Sequence, residues 1–390
     1  MGTTAVVHFV SGDLWGGAEN QVYQLAKQQT EREGLKVCVV ILNRGQLYDR
    51  LSESKVEVLL CDESKESFFK ILSDALSFVK AIKREYGDVI LHSHRRKENL
   101  LAALVALRQR LKVVRTMHGA DEHVTTENLR KRAAKRLELY LYKFLISRHV
   151  AVAAHLESDL SRCGYRGRSI TTIPNGIDFD KLEGDTGASD ANPLTASLLP
   201  CSGGKAWRVG IVGRLVPVKR HDLFIQLASR TFSAREEIVQ FFIIGDGPML
   251  ETTKTMAGSS PASARIHFLG FRSDVNRIIK ELDAVFILSD HEGLPLNLLE
   301  SIGLGVPVFG HDVGGVGEIL RPYPALLLKA PLLPSAEKAI QDLLTDDSNL
   351  KQQFLSCRQA IVERFSLARC EQAYFELYVS CLNPLTTKSS

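Results

Sequence analysis

Ala284-Val285-Phe286-Ile287-Leu288, followed after three residues by Glu292-Gly293-Leu294-Pro295-Leu296-Asn297-Leu298-Leu299-Glu300, joins a short apolar strand to a helix through a glycine-containing loop. A continuous apolar run suits a strand buried on both faces, as in a parallel sheet covered by helices. In open α/β sheets ligands bind outside the carboxyl ends of the strands, which is where this loop falls. Pro295 suits the first helical turn, because its missing N–H would be unpaired there, and the amides near Gly293 and Leu294 are expected to face an anion. Glu292 in the loop and Glu300 on the helix then offer carboxylates to two sets of hydroxyls on one ligand, as a ribose and a second sugar present them. Taken alone, Glu300 reads as a surface residue and Glu292 as an acid favoured by the helix dipole.

A second cluster in the same half changes that balance. Gly213-Arg214-Leu215-Val216-Pro217-Val218-Lys219 follows the run Arg208 to Gly213, at the first strand-to-helix turn. Arginine forks onto phosphate oxygens and lysine adds a compact charge, so the pair can neutralise a diphosphate without a metal. From there the alternation continues: strands at Gln240 to Gly245, Arg265 to Leu269, Ala284 to Leu288, Val306 to Phe309 and Ala325 to Leu328, separated by helical patterns. That is the signature of a doubly wound α/β domain.

The first half carries the same signature. Strands at Ala5 to Val10, Lys36 to Leu42, Asp88 to His92, Val113 to Met117, His149 to Ala153 and Ser169 to Ile173 alternate with helices from Gly17, over 68–86 and over 98–109. Residues 180–206 are rich in Gly, Ser, Pro, Asp and Thr without periodicity, which reads as a linker. The expected organisation is an N-terminal domain over 1–178, a linker over 179–206 and a C-terminal domain over 207–365. A last helix over about 366–382, with Ser366 as its candidate cap, returns to the first domain. The fold class is therefore α/β, two doubly wound Rossmann-like domains facing across a cleft.

At 390 residues, with 45% apolar and 24% charged residues, the chain fits two soluble globular domains. Lys plus Arg exceed Asp plus Glu by only four, so no nucleic-acid partner is called for. Seven scattered cysteines without a C-x-x-C pair argue against zinc and a disulfide framework and for a reducing compartment. The opening apolar run has no basic leader and breaks at Ser11-Gly12-Asp13, so it reads as a buried strand rather than a signal peptide. No stretch reaches the roughly 18 apolar residues of a spanning helix. A cytoplasmic location is expected.

These motifs resemble those of the retaining glycosyltransferase family 4, whose members have the GT-B fold. The markers are Gly213-Arg214-Leu215 with Lys219, the Glu-x7-Glu pair Glu292 and Glu300, and Gly314-Gly315-Val316-Gly317-Glu318. The resemblance implies that Arg214 and Lys219 bind the donor pyrophosphate, Glu300 the ribose and Glu292 the donor sugar. It places Gly12-Asp13-Leu14-Trp15-Gly16-Gly17-Ala18-Glu19, with Gly16 and Gly17, near the donor phosphate. A nicotinamide-binding fingerprint is the weaker alternative there, since G-x-G-x-x-G is absent and the second strand ends at Asn43-Arg44 rather than at an acid. The resemblance also assigns His118, at the end of the strand Val113 to Met117, to the transferred sugar; His92 and His94 are lesser candidates for acceptor contacts.

The implied reaction moves a sugar from a nucleoside-diphosphate sugar, UDP-linked by family habit, to an acceptor hydroxyl with retention, in surface polysaccharide or glycolipid assembly. No cofactor and no essential metal are expected, as no Asp-x-Asp motif occurs. The alternatives are a catalytically silent nucleotide-sugar-binding subunit of a polysaccharide-assembly complex and a GT-B epimerase or pyridoxal-dependent phosphorylase. Gly317, where proline is commoner, and Arg321-Pro322-Tyr323-Pro324 depart from the family and make the local loop shape an open point. Finally, Arg130, Lys131, Arg132, Lys135 and Arg136, followed by Leu137, Leu139, Tyr140, Leu141, Phe144, Leu145 and Ile146, form a basic amphipathic segment over 128–148. Such a segment suits either an anionic membrane surface on the inner leaflet or an ordinary packed helix.

Overall fold

Thr4–Val10 places six buried residues in succession, because a central parallel strand is covered on both faces. This strand, β1, lies in a seven-stranded parallel sheet with β2 (Leu35–Ile41), β3 (Glu57–Leu60), β4 (Val89–Ser93), β5 (Lys112–Met117), β6 (Arg148–Ala151) and β7 (Ile170–Thr172). Their order is β3-β2-β1-β4-β5-β6-β7, so the winding reverses between β1 and β4. His8 of β1 stands in register with His92 of β4 and Val39 of β2. The computed structural model describes residues 3–13, 15–119, 140–165, 167–184, 206–234 and 239–383.

The chain divides into two units, one of Met1–Gly176 with Leu367–Ser390 and one of Ile177–Ser366. In the first, the helix Leu367–Leu382 packs on the helix Gly17–Thr30 and sends Cys370, Tyr374, Leu377 and Tyr378 into the core beside β1 and β2. Arg32 forks onto Glu371, with Nε donating to Oε1 at 2.7 Å, which closes the edge of that contact.

The second unit holds β8 (Trp207–Val212), β9 (Val239–Ile244), β10 (Ile266–Gly270), β11 (Ala284–Ile287), β12 (Val308–His311) and β13 (Leu327–Leu328). All neighbours are parallel, in the order β10-β9-β8-β11-β12-β13, and the winding reverses between β8 and β11.

Three departures from the sequence expectation have physical reasons. Between residues 42 and 68 no element was expected, yet a helix Gln46–Ser52 and the edge strand β3 form there. β3 is only four residues long and begins with exposed Glu57, so its apolar run Val58-Leu59-Leu60 is too short to mark a strand by pattern. Residues 177–178, expected to end the first domain, and 179–184, expected to open the linker, belong to the second unit: Phe179 and the buried Leu182 of the helix Phe179–Gly184 pack where Gly303 leaves room, and Ile177 N–H donates to Phe365 O at 2.8 Å. Pro295 is the N-cap of the helix Leu296–Gly303 rather than its first residue, because its ψ of 130° is extended. The rest of the expected linker, 185–205, and the basic cluster Arg130, Lys131, Arg132, Lys135 and Arg136 lie outside the described residues.

Candidate active site

In the second unit, the loops after β8, β9, β11 and β12 are stitched together at the reversal point. Gly245 has φ 139° and its Cα lies against the carbonyl of Gly213, where a side chain would collide. Leu215 N–H donates to Asp246 O at 2.9 Å, and Met249 N–H donates to Leu215 O at 3.0 Å. Leu215 is thereby buried while Arg214, beside it, points into solvent. Among the described residues, no hydrogen bond or ion pair engages the Arg214 guanidinium.

Lys219 ends a short 3₁₀ turn, Pro217–Lys219, closed by Arg220 in the left-handed region at φ 54°. Arg220 holds Asp222 and Asp290, and Asp290 N–H donates to Val218 O at 2.9 Å, which ties the β8 loop to the β11 loop. Across that tie, Lys219 Nζ meets Glu292 Oε1 at 2.5 Å, and Ser289 Oγ donates to the same oxygen at 2.6 Å. The ion pair is sheltered, with side chains 24% and 9% exposed. His311 Nδ1 donates to Ser289 O at 2.8 Å and Asn297 Nδ2 donates to Val212 O at 2.6 Å, which fixes the start of the helix Leu296–Gly303 against the end of β8.

Gly293 O accepts from Gly315 N–H at 2.8 Å, and a side chain on Gly315 would strike that carbonyl. The Gly293 amide itself donates to nothing among the described residues, whereas Leu294 is buried. Glu300 lies along the helix, half-buried, and burial pushes its carboxyl up to about 7. The departure at Gly317 is explained locally: its N–H donates to Val313 O at 3.1 Å, which proline cannot do, and its bare Cα leaves room for Asp312, held by Arg321 at 2.8 Å.

In the first unit, the loops after β1 and β4 flank the reversal point. Gly16 is the extended N-cap of the helix Gly17–Thr30, and Glu19 in its first turn is buried and paired with Arg95 Nη2 at 2.5 Å. Burial raises the Glu19 carboxyl and Arg95 opposes that rise. Ser11 Oγ donates to buried Glu98, whose carboxyl burial also raises. Gly17 has open space where a side chain would stand.

His118 directly follows β5, and burial with the nearby Arg95 charge lowers its imidazole to about 3. Its Nε2 lies 3.2 Å from His94 Nδ1, and its Nδ1 is enclosed without a hydrogen-bond partner among the described residues. His92 bridges Tyr378 OH at 2.7 Å and Thr116 Oγ1 at 2.8 Å, so it serves the core rather than an open surface. His8, His92 and His94 bring ligand-type nitrogens within 4.8 Å of one another, but hydrogen bonds occupy all six nitrogens. Sequence reasoning missed Arg95 and His8. A histidine inside the apolar run Ala5 to Val10 was a usable signal, since a buried imidazole needs partners.

Two family models match the chain: "Glycosyltransferase Family 4" over residues 15–181 and "Glycosyl transferases group 1" over residues 202–356. An Escherichia coli UDP-Gal:alpha-D-GlcNAc-diphosphoundecaprenol alpha-1,3-galactosyltransferase is 25% identical over 319 residues, 80% of each chain. A Bacillus anthracis N-acetyl-alpha-D-glucosaminyl L-malate synthase is 23% identical over 80% of this chain and 79% of its own. Among solved structures, Anabaena Alr3699/HepE in complex with UDP and glucose superimposes with a TM-score of 0.80 at 18% identity, covering 97% of this chain and all of that one.

Proposed function

Because this chain belongs to glycosyltransferase family 4 and has the GT-B fold, we propose that it moves a hexosyl group from a UDP-linked sugar to a hydroxyl of a saccharide or lipid-linked acceptor, with retention of configuration. Sugar transfer from a nucleotide sugar is the activity of the family. The observation that carries the finer reading is the sheltered Lys219–Glu292 pair beside the unengaged Arg214, at the reversal point of the second sheet. The relative acting on UDP-galactose and the neighbour holding UDP and glucose support a UDP-sugar, and the diphosphoundecaprenol acceptor of the former supports a lipid-linked acceptor.

In this reading the incoming diphosphate competes with Glu292 for Lys219. The lysine then turns to the leaving group together with Arg214 and the Gly293 amide, and Glu292 is released to a hydroxyl of the transferred sugar. Preorganised donors of this kind are each worth about 3 kcal/mol of transition-state stabilisation. The leaving phosphate takes the acceptor proton, so no carboxylate nucleophile is needed, and the two cations make a metal dispensable. Glu300 accepts the ribose hydroxyls. Gly16 and Gly17 admit the donor phosphate closely, and His118 contacts the sugar.

A cytoplasmic enzyme resting on an anionic membrane fits a lipid-linked acceptor. Among the described residues no helix is long and apolar enough to cross a membrane. At the end of the basic segment, Tyr140 and Phe144 are 60% and 71% exposed and lie together, with ring centroids 4.8 Å apart. Two exposed aromatics one turn apart beside a run of cations suit an interfacial helix.

The test is nucleotide release from a panel of UDP-, GDP- and ADP-sugars in the presence of EDTA, with the anomeric configuration of any product determined. Release confined to UDP-sugars, unaffected by EDTA and giving a retained product, is expected. Release confined to another base, loss under EDTA restored by manganese, or an inverted product would each overturn the corresponding part.

A further inference from the structure

Beneath the first sheet's carboxyl edge, one file of hydrogen bonds runs through three imidazoles. Gln29 Oε1 lies 2.8 Å from His8 Nε2, His8 Nδ1 lies 2.9 Å from His94 Nε2, and His94 Nδ1 lies 3.2 Å from His118 Nε2. Burial keeps every ring neutral, lowering His8 to about 4, His118 to about 3 and His94 well below its ordinary value. A neutral imidazole donates from one nitrogen and accepts at the other, so the file has a single direction.

Gln29 sets that direction. Its Nε2 donates to Tyr378 OH at 3.4 Å, so its oxygen faces His8 and must receive a proton from His8 Nε2. His8 Nδ1 is then an acceptor, which places the proton on His94 Nε2. His94 Nδ1 accepts in turn, which places the proton on His118 Nε2. What remains at the end of the file is His118 Nδ1, a bare lone pair with no partner among the described residues. An enclosed acceptor without a donor costs free energy, which a ligand's O–H relieves on binding.

We propose that Gln29, His8 and His94 are positioning residues that hold His118 in the Nε2–H tautomer, so that its Nδ1 accepts from a hydroxyl of the bound saccharide and rejects a carboxylate at the same place. This rests on the assignment of His118 to sugar contact made above. A hydroxymethyl group can donate to the lone pair, whereas a uronate carboxylate has no proton to give and meets it oxygen to nitrogen. The file therefore converts the orientation of a distant glutamine into a preference for neutral over oxidised sugars. Gln29 touches no substrate; it acts through two rings.

The tautomer is read first, without substrate, by nitrogen NMR of protein labelled with ¹⁵N in the histidine rings, the His118 signals being assigned by their loss in His118→Gln. A proton on Nε2 and a bare Nδ1 are expected; a proton on Nδ1 overturns the proposal. Gln29→Met, which keeps side-chain length but removes the acceptor, is expected to give a mixture of tautomers. The same variant is then compared with the parent in kcat/KM for UDP-hexoses and for the corresponding UDP-uronates. The parent should prefer the neutral sugars by roughly tenfold or more, as one lost hydrogen bond and one repulsive contact imply, and the preference should shrink several-fold in Gln29→Met. Unchanged tautomer and unchanged preference in that variant overturn the relay. If Gln29→Met does not fold, the parent tautomer still decides. A protein with the expected tautomer that turns over no donor refutes the functional reading and the sugar contact, and leaves the file standing as structure only.

Discussion

Replacing Lys219 by alanine should injure this protein twice, and the two injuries can be separated. Lys219 and Glu292 meet at 2.5 Å with side chains 24% and 9% exposed, so alanine strands a carboxylate that keeps, among the described residues, only the Ser289 hydroxyl. Removing one partner of a fully buried pair costs about 3–5 kcal/mol, and of a surface pair about 0–1 kcal/mol. The intermediate burial here implies about 2 kcal/mol. In a unit of this size each kcal/mol lowers Tm by roughly 2–4 °C, so a drop of about 5 °C is expected by calorimetry. Lys219→Ala combined with Glu292→Gln should recover most of that drop, because glutamine is neutral and its amide oxygen still accepts from Ser289. Turnover should fall about a hundredfold in Lys219→Ala and stay low in the double variant, since no cation is returned to the diphosphate. A double variant that melts no higher than Lys219→Ala would refute the stranded-charge argument. Recovery of turnover together with stability would refute the assignment of Lys219 to the leaving group.

Arg214, exposed and unengaged among the described residues, should behave differently: Arg214→Ala is expected to leave the unfolding free energy from urea titration within about 0.5 kcal/mol of the parent while turnover falls at least tenfold. Acidification should destabilise the first unit. His8 and His118 are lowered to about 4 and 3, and His149 to about 3, so the unfolded chain takes up protons that the folded one refuses. That contribution is complete above pH 6.5 and is lost as pH falls toward 4, at about 1.4 kcal/mol per group per pH unit near pH 5; the raised carboxyls of Glu19 and Glu98 oppose it in part. Urea midpoints that stay flat between pH 7 and 5 would contradict this. Glu300, raised to about 7, should be ionised only above neutrality, so donor affinity measured calorimetrically should strengthen from pH 6 to 8 in the parent and lose that dependence in Glu300→Gln. Liposome sedimentation should need anionic lipid and weaken with salt and with Tyr140→Ser and Phe144→Ser; binding indifferent to all of these would leave Tyr140 and Phe144 without a membrane role.

What the sequence disclosed and what it withheld divide along one line. The buried parallel strands announce themselves because both faces are apolar, and β1, β9 and β11 appear within a residue or two of their observed ends. The edge strand β3 stays hidden because its apolar run, Val58-Leu59-Leu60, is only three residues long. Residue types at the carboxyl edges were also visible, but their pairings were not. Lys219 and Glu292 are 73 positions apart, and no spacing rule says that the cation rests on the acid. The histidine file joins three strands and a helix, and its direction is set by a glutamine with nothing in its neighbourhood to mark it.

The helix Leu367–Leu382 completes the core of a unit whose other residues end at Gly176. On the ribosome, the partner that covers helix Gly17–Thr30 therefore emerges about 190 residues after the sheet it seals. At roughly 5–20 residues per second that is a delay of about 10–40 s. During it, the apolar face meant for Tyr374, Leu377 and Tyr378 is bare, and Gln29 lacks the phenol that orients its amide. Shortening the chain before Leu367 makes the delay permanent, so a truncated protein should be captured by chaperones as a nascent chain is, even though every strand of both sheets is already present.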